Sequence, residues 1–415
     1  MVAYHFPPLA GSSGIQRTLR FVQQLPRFGW QPIVLTADPV AYERTHSDLL
    51  LEVPPDTVVR RAFALDTARH LAWRGRYIAA MARPDRWNSW RFDAVRQGLK
   101  LIRQFAPHAI WSTYPIATAH VVGAELQQRS GLPWIADFRD PMAQEGYPAD
   151  PVTWQAYRRI EKRTFGQASL CTFTSPSAAR TYKARYADIP GRVALLENGY
   201  DEETFVDVER AEQVALPLHA GRLTLLHSGI VYPSERDPRP LFAALNQLSR
   251  SGRIRPGQLT IRFRAPVHEQ LLRDFALAHD VQPYVEICPA VGYREALAEM
   301  LRADALLVMQ AANCNEQVPA KLYEYLRAGR PVLCFSDAGG DTVSTLRASG
   351  ITAFAQLDSA DEIASLIARF TDDASAGRFR DTPCYLATPA AVAGSSRLRR
   401  TGELAAHLGA VTGEG

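Results

Sequence analysis

Cysteine is sparse and scattered. Cys171, Cys288, Cys314, Cys334 and Cys384 are an odd number with no C-x-x-C pair in 415 residues. That pattern argues against a disulfide framework or a cysteine-held zinc site and fits a reducing compartment. No apolar run approaches the ~18 residues needed to span a bilayer. The opening MVAYHFPPL has neither the charged start nor the apolar core of a secretory leader. A cytoplasmic location is the expectation. Met1 to Tyr4 reads as the end of a buried strand, which predicts that the natural first strand starts a few residues earlier. The net charge of +4 is too small to argue for a nucleic-acid partner. There is no short-period repeat and no low-complexity segment. G-x-G-x-x-G and G-x-x-x-x-G-K-[ST] are both missing, so neither a Rossmann dinucleotide fingerprint nor a P-loop is supported.

What is present is the composition of a globular chain, 47% hydrophobic and 22% charged, at a length that suits two domains. Strand-like and helix-like runs alternate, which predicts α/β architecture with parallel sheets covered by helices. The first half holds strands at 31–36, 109–112, 134–137, 170–174 and 193–197. Its first helix spans Ile15 to Phe28, and Asn198-Gly199 reads as a tight turn. The pattern restarts with strands at 223–227, 259–263, 285–288, 305–309 and 331–335 and helices at 237–250, 293–302 and 319–328. The expected division is an N-terminal domain over 1–205, a C-terminal domain over 206–385, and a tail over 386–415 with a last helix at 396–408 packing back on the N-terminal domain.

The most informative string is Glu316-Gln-Val-Pro-Ala-Lys-Leu-Tyr-Glu324-Tyr-Leu-Arg-Ala-Gly-Arg-Pro-Val. A polar loop feeds a helix opening at Pro319, where proline is well placed. The helix start offers N–H groups and a positive dipole end to a diphosphate, and Lys321 adds a cation. Glu316 lies in the loop and Glu324 about one and a half turns into the helix. One carboxylate can face a sugar while the other accepts from ribose hydroxyls. A solvated glutamate pair on an amphipathic helix explains two residues equally well, but not the whole string.

That string resembles the E-x7-E motif of family 4 (group 1) glycosyltransferases. YHFPPLAGSSGIQR, Ser112–Pro115, Pro133-Trp-Ile-Ala-Asp137-Phe-Arg139-Asp140-Pro141, Asn198-Gly199-Tyr-Asp201, His227-Ser-Gly229 and Arg236-Asp-Pro238 are similar to that family's other landmarks. The resemblance implies the GT-B fold, two Rossmann-like domains facing across a cleft. It also implies retaining transfer from a nucleoside-diphosphate sugar to a glycan or lipid-linked acceptor, an EC 2.4 activity in surface polysaccharide or glycolipid synthesis, with no cofactor or metal. Glu316 is placed at the donor sugar and Glu324 at the ribose. Gly229, Arg236, Val318, Pro319 and Lys321 complete the donor site. Many relatives carry arginine directly after the equivalent of Gly229; here it is Ile230, so phosphate neutralisation falls to Arg236 and Lys321, with Arg239 or Arg264 as further candidates.

On the other side, Gly11-Ser12-Ser13-Gly14 leads into a helix, where it closes on phosphates or acceptor or is a plain flexible turn. Asp137, Arg139 and Asp140 sit past a strand end. They either shape the loop or, for Arg139 and Asp140, orient the acceptor hydroxyl and the sugar. His120 reads as packing. A stretch over about 60–104 reads as an insert with eleven basic residues against three acids, interleaved with Trp73, Tyr77, Trp87, Trp90 and Phe92. It is either a peripheral contact for the anionic inner face of a membrane or a solvated face with core-facing aromatics. An epimerase or hydrolase on the same fold, and a non-catalytic nucleotide-sugar-binding protein, remain the alternative functions.

Overall fold

In the computed structural model, Val2 pairs in parallel with Leu35 on one side and Ser112 on the other. It thereby joins β1 (Ile33–Ala37) and β2 (Val58–Ala62) to β3 (Ile110–Thr113), β4 (Trp134–Arg139), β5 (Leu170–Phe173) and β6 (Val193–Leu195) in one parallel layer. The order across it is β2, β1, the Val2 segment, β3, β4, β5, β6. A second parallel sheet runs β12-β11-β10-β7-β8-β9. Its strands are β7 (Leu223–Ser228), β8 (Leu259–Arg264), β9 (Val285–Cys288), β10 (Ala305–Gln310), β11 (Val332–Ser336) and β12 (Phe354–Ala355). The structure describes residues 1–12, 14–188, 193–210, 214, 216–379 and 381–413.

Two units result: Met1–Asn198 with Arg397–Gly415, and Gly199–Ser396. The chain crosses at Asn198/Gly199 and Ser396/Arg397, several residues from the boundaries drawn on the sequence, and Asn198-Gly199 forms no tight turn. Every residue of β3, β4, β5, β8, β10 and β11 is buried. Helices on both faces of a parallel sheet demand this, and it is why the strands read as near-continuous apolar runs. Leu225, Ile261 and Leu307 face one core with Phe242, while Leu226, Leu306 and Val308 face another with Leu322 and Tyr323.

The stretch over 60–104 is not an insert. It supplies the end of β2 and the helix Trp90–Phe105, which returns the chain to β3. Trp90 is fully buried, and the Trp87 ring lies 4.8 Å from that of Tyr4. β2 escapes sequence reading because Arg60 and Arg61 interrupt its apolar pattern on an edge strand. The first helix is also shorter than expected: it spans Gly14–Gln24, and Leu25–Phe28 tightens into a 3₁₀ turn over Pro26.

The last helix, Arg397–Thr412, packs within the N-terminal unit. Leu404 and Leu408 join Phe21, Leu25 and Trp111, and Thr401 Oγ1 donates to Gln24 Oε1 at 2.9 Å.

One buried ion pair ties this unit together. Arg17 Nε and Nη2 donate to the two Asp137 oxygens at 2.9 and 2.8 Å. Arg17 also donates to the carbonyls of Leu196 and Glu197 at 2.9 and 3.0 Å. Thr113 and Thr172 complete the Asp137 carboxylate at 2.9 and 2.8 Å. Burial alone would raise the Asp137 carboxyl, but Arg17 wins and holds it below the usual range. The pair therefore stabilises the fold above the ordinary carboxylate pKa, and that contribution is lost as pH falls through the lowered folded value. Arg17→Met is expected to cost about 3–5 kcal/mol in denaturant unfolding, because it leaves a buried carboxylate unpaired. A loss under 1 kcal/mol would contradict that reading.

Candidate functional site

In the C-terminal sheet the chain runs outward from β7 through β8 to β9, then returns to lay β10 on the other side of β7. Connections leave the carboxyl ends of β7 and β10 in opposite directions, which opens a crevice there. Ser228-Gly229 ends β7. Gly229 adopts φ +115, a conformation natural to glycine. Lys321 lies across from it: its Nζ donates to Ser228 O at 3.1 Å and to His227 Nε2 at 3.0 Å. His227 is fully buried and its Nδ1 is 3.1 Å from Leu307 O. Donation to that carbonyl fixes the tautomer that leaves Nε2 as acceptor for the lysine.

Two cations converge here. Burial lowers the Lys321 amine well below its ordinary value, and the nearby Arg236 guanidinium lowers it further. Burial, Lys321 and Arg236 depress His227 in the same way, so the ring stays neutral. Arg236 Nη1 donates to Ile230 O at 3.0 Å, while its Nε is buried without a hydrogen-bond partner. Ile230 thus contributes a carbonyl where the resemblance led one to look for an arginine, and Arg236 reaches it from six residues on. Arg239 and Arg264 do not join them. Arg239 is exposed and closed on Asp237, at 2.6 Å from Nη2. Arg264 is buried, with Nε donating to Glu299 at 2.7 Å and Nη1 to Pro289 O at 2.6 Å.

The helix after the polar loop spans Lys321–Ala328 and not 319–328; Pro319 and Ala320 form its lead-in, with Leu322 N–H donating to Pro319 O at 2.9 Å. Glu324 consequently sits in the first turn, closer to the dipole's positive end than the sequence reading had it. It is buried and accepts from Tyr293 Oη at 2.9 Å. Tyr325, next along, takes Ser228 N–H on its hydroxyl at 3.0 Å.

Gln310 holds the Glu316 loop. Buried at the end of β10, it donates to Cys314 O at 2.6 Å and Gln317 O at 2.9 Å, and accepts from Thr342 at 3.1 Å. Asn315 is fixed to Asp337 at 3.1 Å and Asp341 N–H donates to Asn315 O at 2.9 Å. Glu316 is half-buried on this loop and Val318 is buried beneath it. Sequence reasoning missed Gln310, Tyr293, Tyr325 and His227 as supports. Of these His227 and Tyr325 lay in quoted motifs; Gln310 and Tyr293 are ordinary residues until the fold brings them together.

The N-terminal unit has its own reversal point, between the Val2 segment and β3. Arg139 stands there with φ +63, at a register shift between Asp137 and Arg139. Its Nη1 donates to Tyr114 O at 3.2 Å, and its Nε is buried without a partner. A Cβ added to Gly14 would fall 2.6 Å from Arg139 Nη1 and 2.7 Å from His5 Nδ1, so glycine is what allows the helix start to approach both. Ser12 Oγ is 2.9 Å from His5 Nδ1. Gly11 is exposed at φ +83, and Ser13 lies outside the described residues. Asp140 is half-buried; burial raises its carboxyl against the pull of Arg139. Asp137 is the structural member of the trio, its four hydrogen bonds leaving it no free oxygen geometry for a ligand. His120 packs as expected, with its ring 4.7 Å from Phe138 and Nδ1 bonded to Ser112 at 2.8 Å.

A second buried carboxylate, Glu161, supports the segment after Asp140. It accepts from Ala143 N–H at 2.7 Å, Tyr186 Oη at 3.0 Å, Arg158 at 2.9 Å and Arg185 at 3.2 Å, and also from Tyr182. Among the described residues no cluster of three His, Cys, Asp or Glu side chains is arranged to hold a metal ion.

Two parallel α/β units, each with polar groups at the carboxyl-edge reversal of its sheet, define the GT-B architecture. Residues 13–199 match the glycosyl transferase 4-like domain family. The match covers most of the N-terminal unit, and no curated protein sequence matches the chain. Solved structures share the fold along nearly the whole length. HepE of Anabaena in complex with UDP is 14% identical with a TM-score of 0.67, over 97% of this chain and 98% of that one. Sucrose-phosphate synthase from Thermosynechococcus elongatus is 16% identical with a TM-score of 0.67, over 97% and 94%. A glycosyltransferase from Rickettsia africae is 9% identical with a TM-score of 0.63, over 96% and 95%.

Two titrations check these electrostatics. Burial, and Arg139 beside it, push His5 down to about 3; its ring should therefore show no NMR titration between pH 5 and 8, whereas a midpoint near 6.5 would mean a solvated ring. At Lys321 an added anion offsets the repulsion from Arg236 and raises the amine's pKa. Binding of inorganic diphosphate at pH 9 is accordingly expected to take up protons, seen as buffer-dependent heats in calorimetry. Buffer-independent heats would show a lysine already charged.

Proposed function

We propose that the protein transfers a sugar, with retention, from a nucleoside-diphosphate sugar to an acceptor hydroxyl in surface polysaccharide or glycolipid synthesis at the inner face of the cell membrane. The observation that carries this reading is the convergence of Lys321, Arg236 and the first helical turn on the Gly229 turn, with the buried Glu324 one helical turn from Lys321.

Diphosphate binding follows from the chemistry of that crevice. Two cations that repel each other, a guanidinium nitrogen lacking a partner and the N–H groups of a helix start are together matched by a doubly charged diphosphate. Val318 and Pro319 shape the lead-in to those N–H groups. Glu324, oriented by Tyr293, accepts from two ribose hydroxyls. Glu316 faces the donor sugar from the loop that Gln310 braces. His5, Ser12, Gly14, Arg139 and Asp140 form the acceptor-side set. In the transfer step the acceptor oxygen bonds to the anomeric carbon as that carbon's bond to the phosphate oxygen breaks. The acceptor's proton passes to the departing phosphate, whose negative charge Arg236 and Lys321 stabilise. No residue is needed as a separate base, and no metal or cofactor takes part.

Glu324→Ala is expected to raise the donor KM about 10- to 100-fold, the loss of two charge-assisted hydrogen bonds. Tyr293→Phe should raise it about 5- to 10-fold with kcat nearly unchanged. Glu316→Ala should lower kcat about 100-fold or more while donor binding persists. Full transfer activity in both glutamate variants would overturn the site assignment. Nucleotide release with no glycosylated acceptor, or a sugar recovered as its epimer, would favour the hydrolase or epimerase reading instead.

A further inference from the structure

Asp66 and Asp85 bracket Thr67–Pro84, a segment with no acid and four arginines, Arg69, Arg74, Arg76 and Arg83. Both bracketing carboxylates are turned inward. Asp66 is fully buried, caps Ala68 N–H at 2.9 Å and pairs with Arg86 at 2.7 Å. Asp85 accepts from Thr118 N–H at 2.8 Å, Thr118 Oγ1 at 2.9 Å and Trp87 N–H at 3.0 Å. Outside the tip the arginines are engaged, Arg83 with Asp150 at 3.5 Å and Arg69 with the Tyr42 carbonyl, so among the described residues the cations without an acidic partner are Arg74 and Arg76 at the tip. Its base is closed: Thr67 N–H and Oγ1 both donate to Arg86 O at 2.9 Å, and Oγ1 lies 3.2 Å from Met81 O. A long loop with pinned ends holds its own shape.

At the tip Trp73 and Arg76 exchange two backbone hydrogen bonds of 2.8 and 3.0 Å. Arg74 at φ 49 and Gly75 at φ 76 form the turn, both left-handed as a type I′ turn requires. The Arg74 guanidinium lies 4.8 Å from the Trp73 ring centroid. Trp73 is 75% exposed and Ile78 70%, and Leu71, Tyr77 and Met81 are exposed beside them in sequence. Several large exposed apolar side chains on one short hairpin mark a docking surface. The tip backbone pairs with itself, so the hairpin offers side chains and not a strand edge.

The partner is set by this chemistry. Arg74 and Arg76 at the tip, with no compensating acid, suit a sheet of phosphates, and Trp, Tyr and Ile in the same hairpin suit the headgroup boundary just beneath. We infer that the Leu71–Met81 hairpin docks the protein on an anionic membrane, with Trp73 and Ile78 entering the headgroup region and Arg74 and Arg76 on lipid phosphates. This deepens the proposed membrane-side function and rests on it for its purpose, but uses none of the donor-site residues. It also divides the aromatics of the basic stretch, since Trp87 and Trp90 belong to the core.

The test is co-sedimentation of the full chain with phosphatidylglycerol/phosphatidylcholine vesicles and with pure phosphatidylcholine vesicles. The wild type should pellet with the anionic vesicles, less so at high salt. Arg74→Gln/Arg76→Gln should weaken partitioning about 25-fold, on the order of fivefold per arginine, and Trp73→Ser/Ile78→Ser should abolish it. Both variants should keep the wild-type melting temperature and donor KM. Glu324→Ala should pellet as wild type; if it also keeps full activity, the donor assignment fails while the membrane inference stands. No preference for anionic vesicles, or variants that pellet like wild type, would overturn the inference.

Discussion

A parallel sheet that is wound in both directions from one central strand leaves a gap at its carboxyl edge, because the connections depart to opposite faces. Both units obey this constraint. In the C-terminal unit the gap lies between β7 and β10, and Gly229, Lys321, Arg236 and the Glu316 loop are its walls. In the N-terminal unit it lies between the Val2 segment and β3, and His5, Gly14, Tyr114 and Arg139 gather there. Chemistry is placed at these edges by topology first and by side-chain choice second.

Charge separates structure from function within that frame. Arg17–Asp137, Glu161 with its arginines and tyrosines, and Arg262 and Arg264 with Glu299 are buried sets in which each carboxylate is answered by several donors. Such sets orient segments and have little capacity left for a ligand. Lys321, Arg236 and Arg139 are different. They stand with like charges close by, and two of them carry a nitrogen without a partner. A bound anion offsets such repulsion.

The structural carboxylates also serve the site indirectly. Arg17 fixes the helix that begins at Gly14 against β4, and so determines where Arg139 can point. Glu161 fixes the chain just after Asp140. Gln310 and Thr342 do the same for the Glu316 loop with neutral groups. A loop that must present one carboxylate at a defined place is thus braced by hydrogen bonds from the strand beneath it.

Much of this was legible in the residues alone. The apolar runs of β3, β4, β8 and β10 announce strands buried on both faces, and the string from Glu316 to Val332 resembles a family motif in spacing and type. Those are local properties, so sequence carries them. β2 was not legible, because arginines on an edge strand break the apolar pattern. The roles of Arg239 and Arg264 were not legible either: an arginine near a phosphate site is free or neutralised according to which acid folds next to it, and Asp237 and Glu299 decide that. The same holds for Trp73 and Trp90, alike in the sequence, of which one is exposed and the other buried. The sequence by itself determined the α/β class, the E-x7-E string and the basic, aromatic character of the early chain. Only the tertiary structure decided which charges are spent inside and which aromatics face water, because both depend on neighbours brought together from distant parts of the chain.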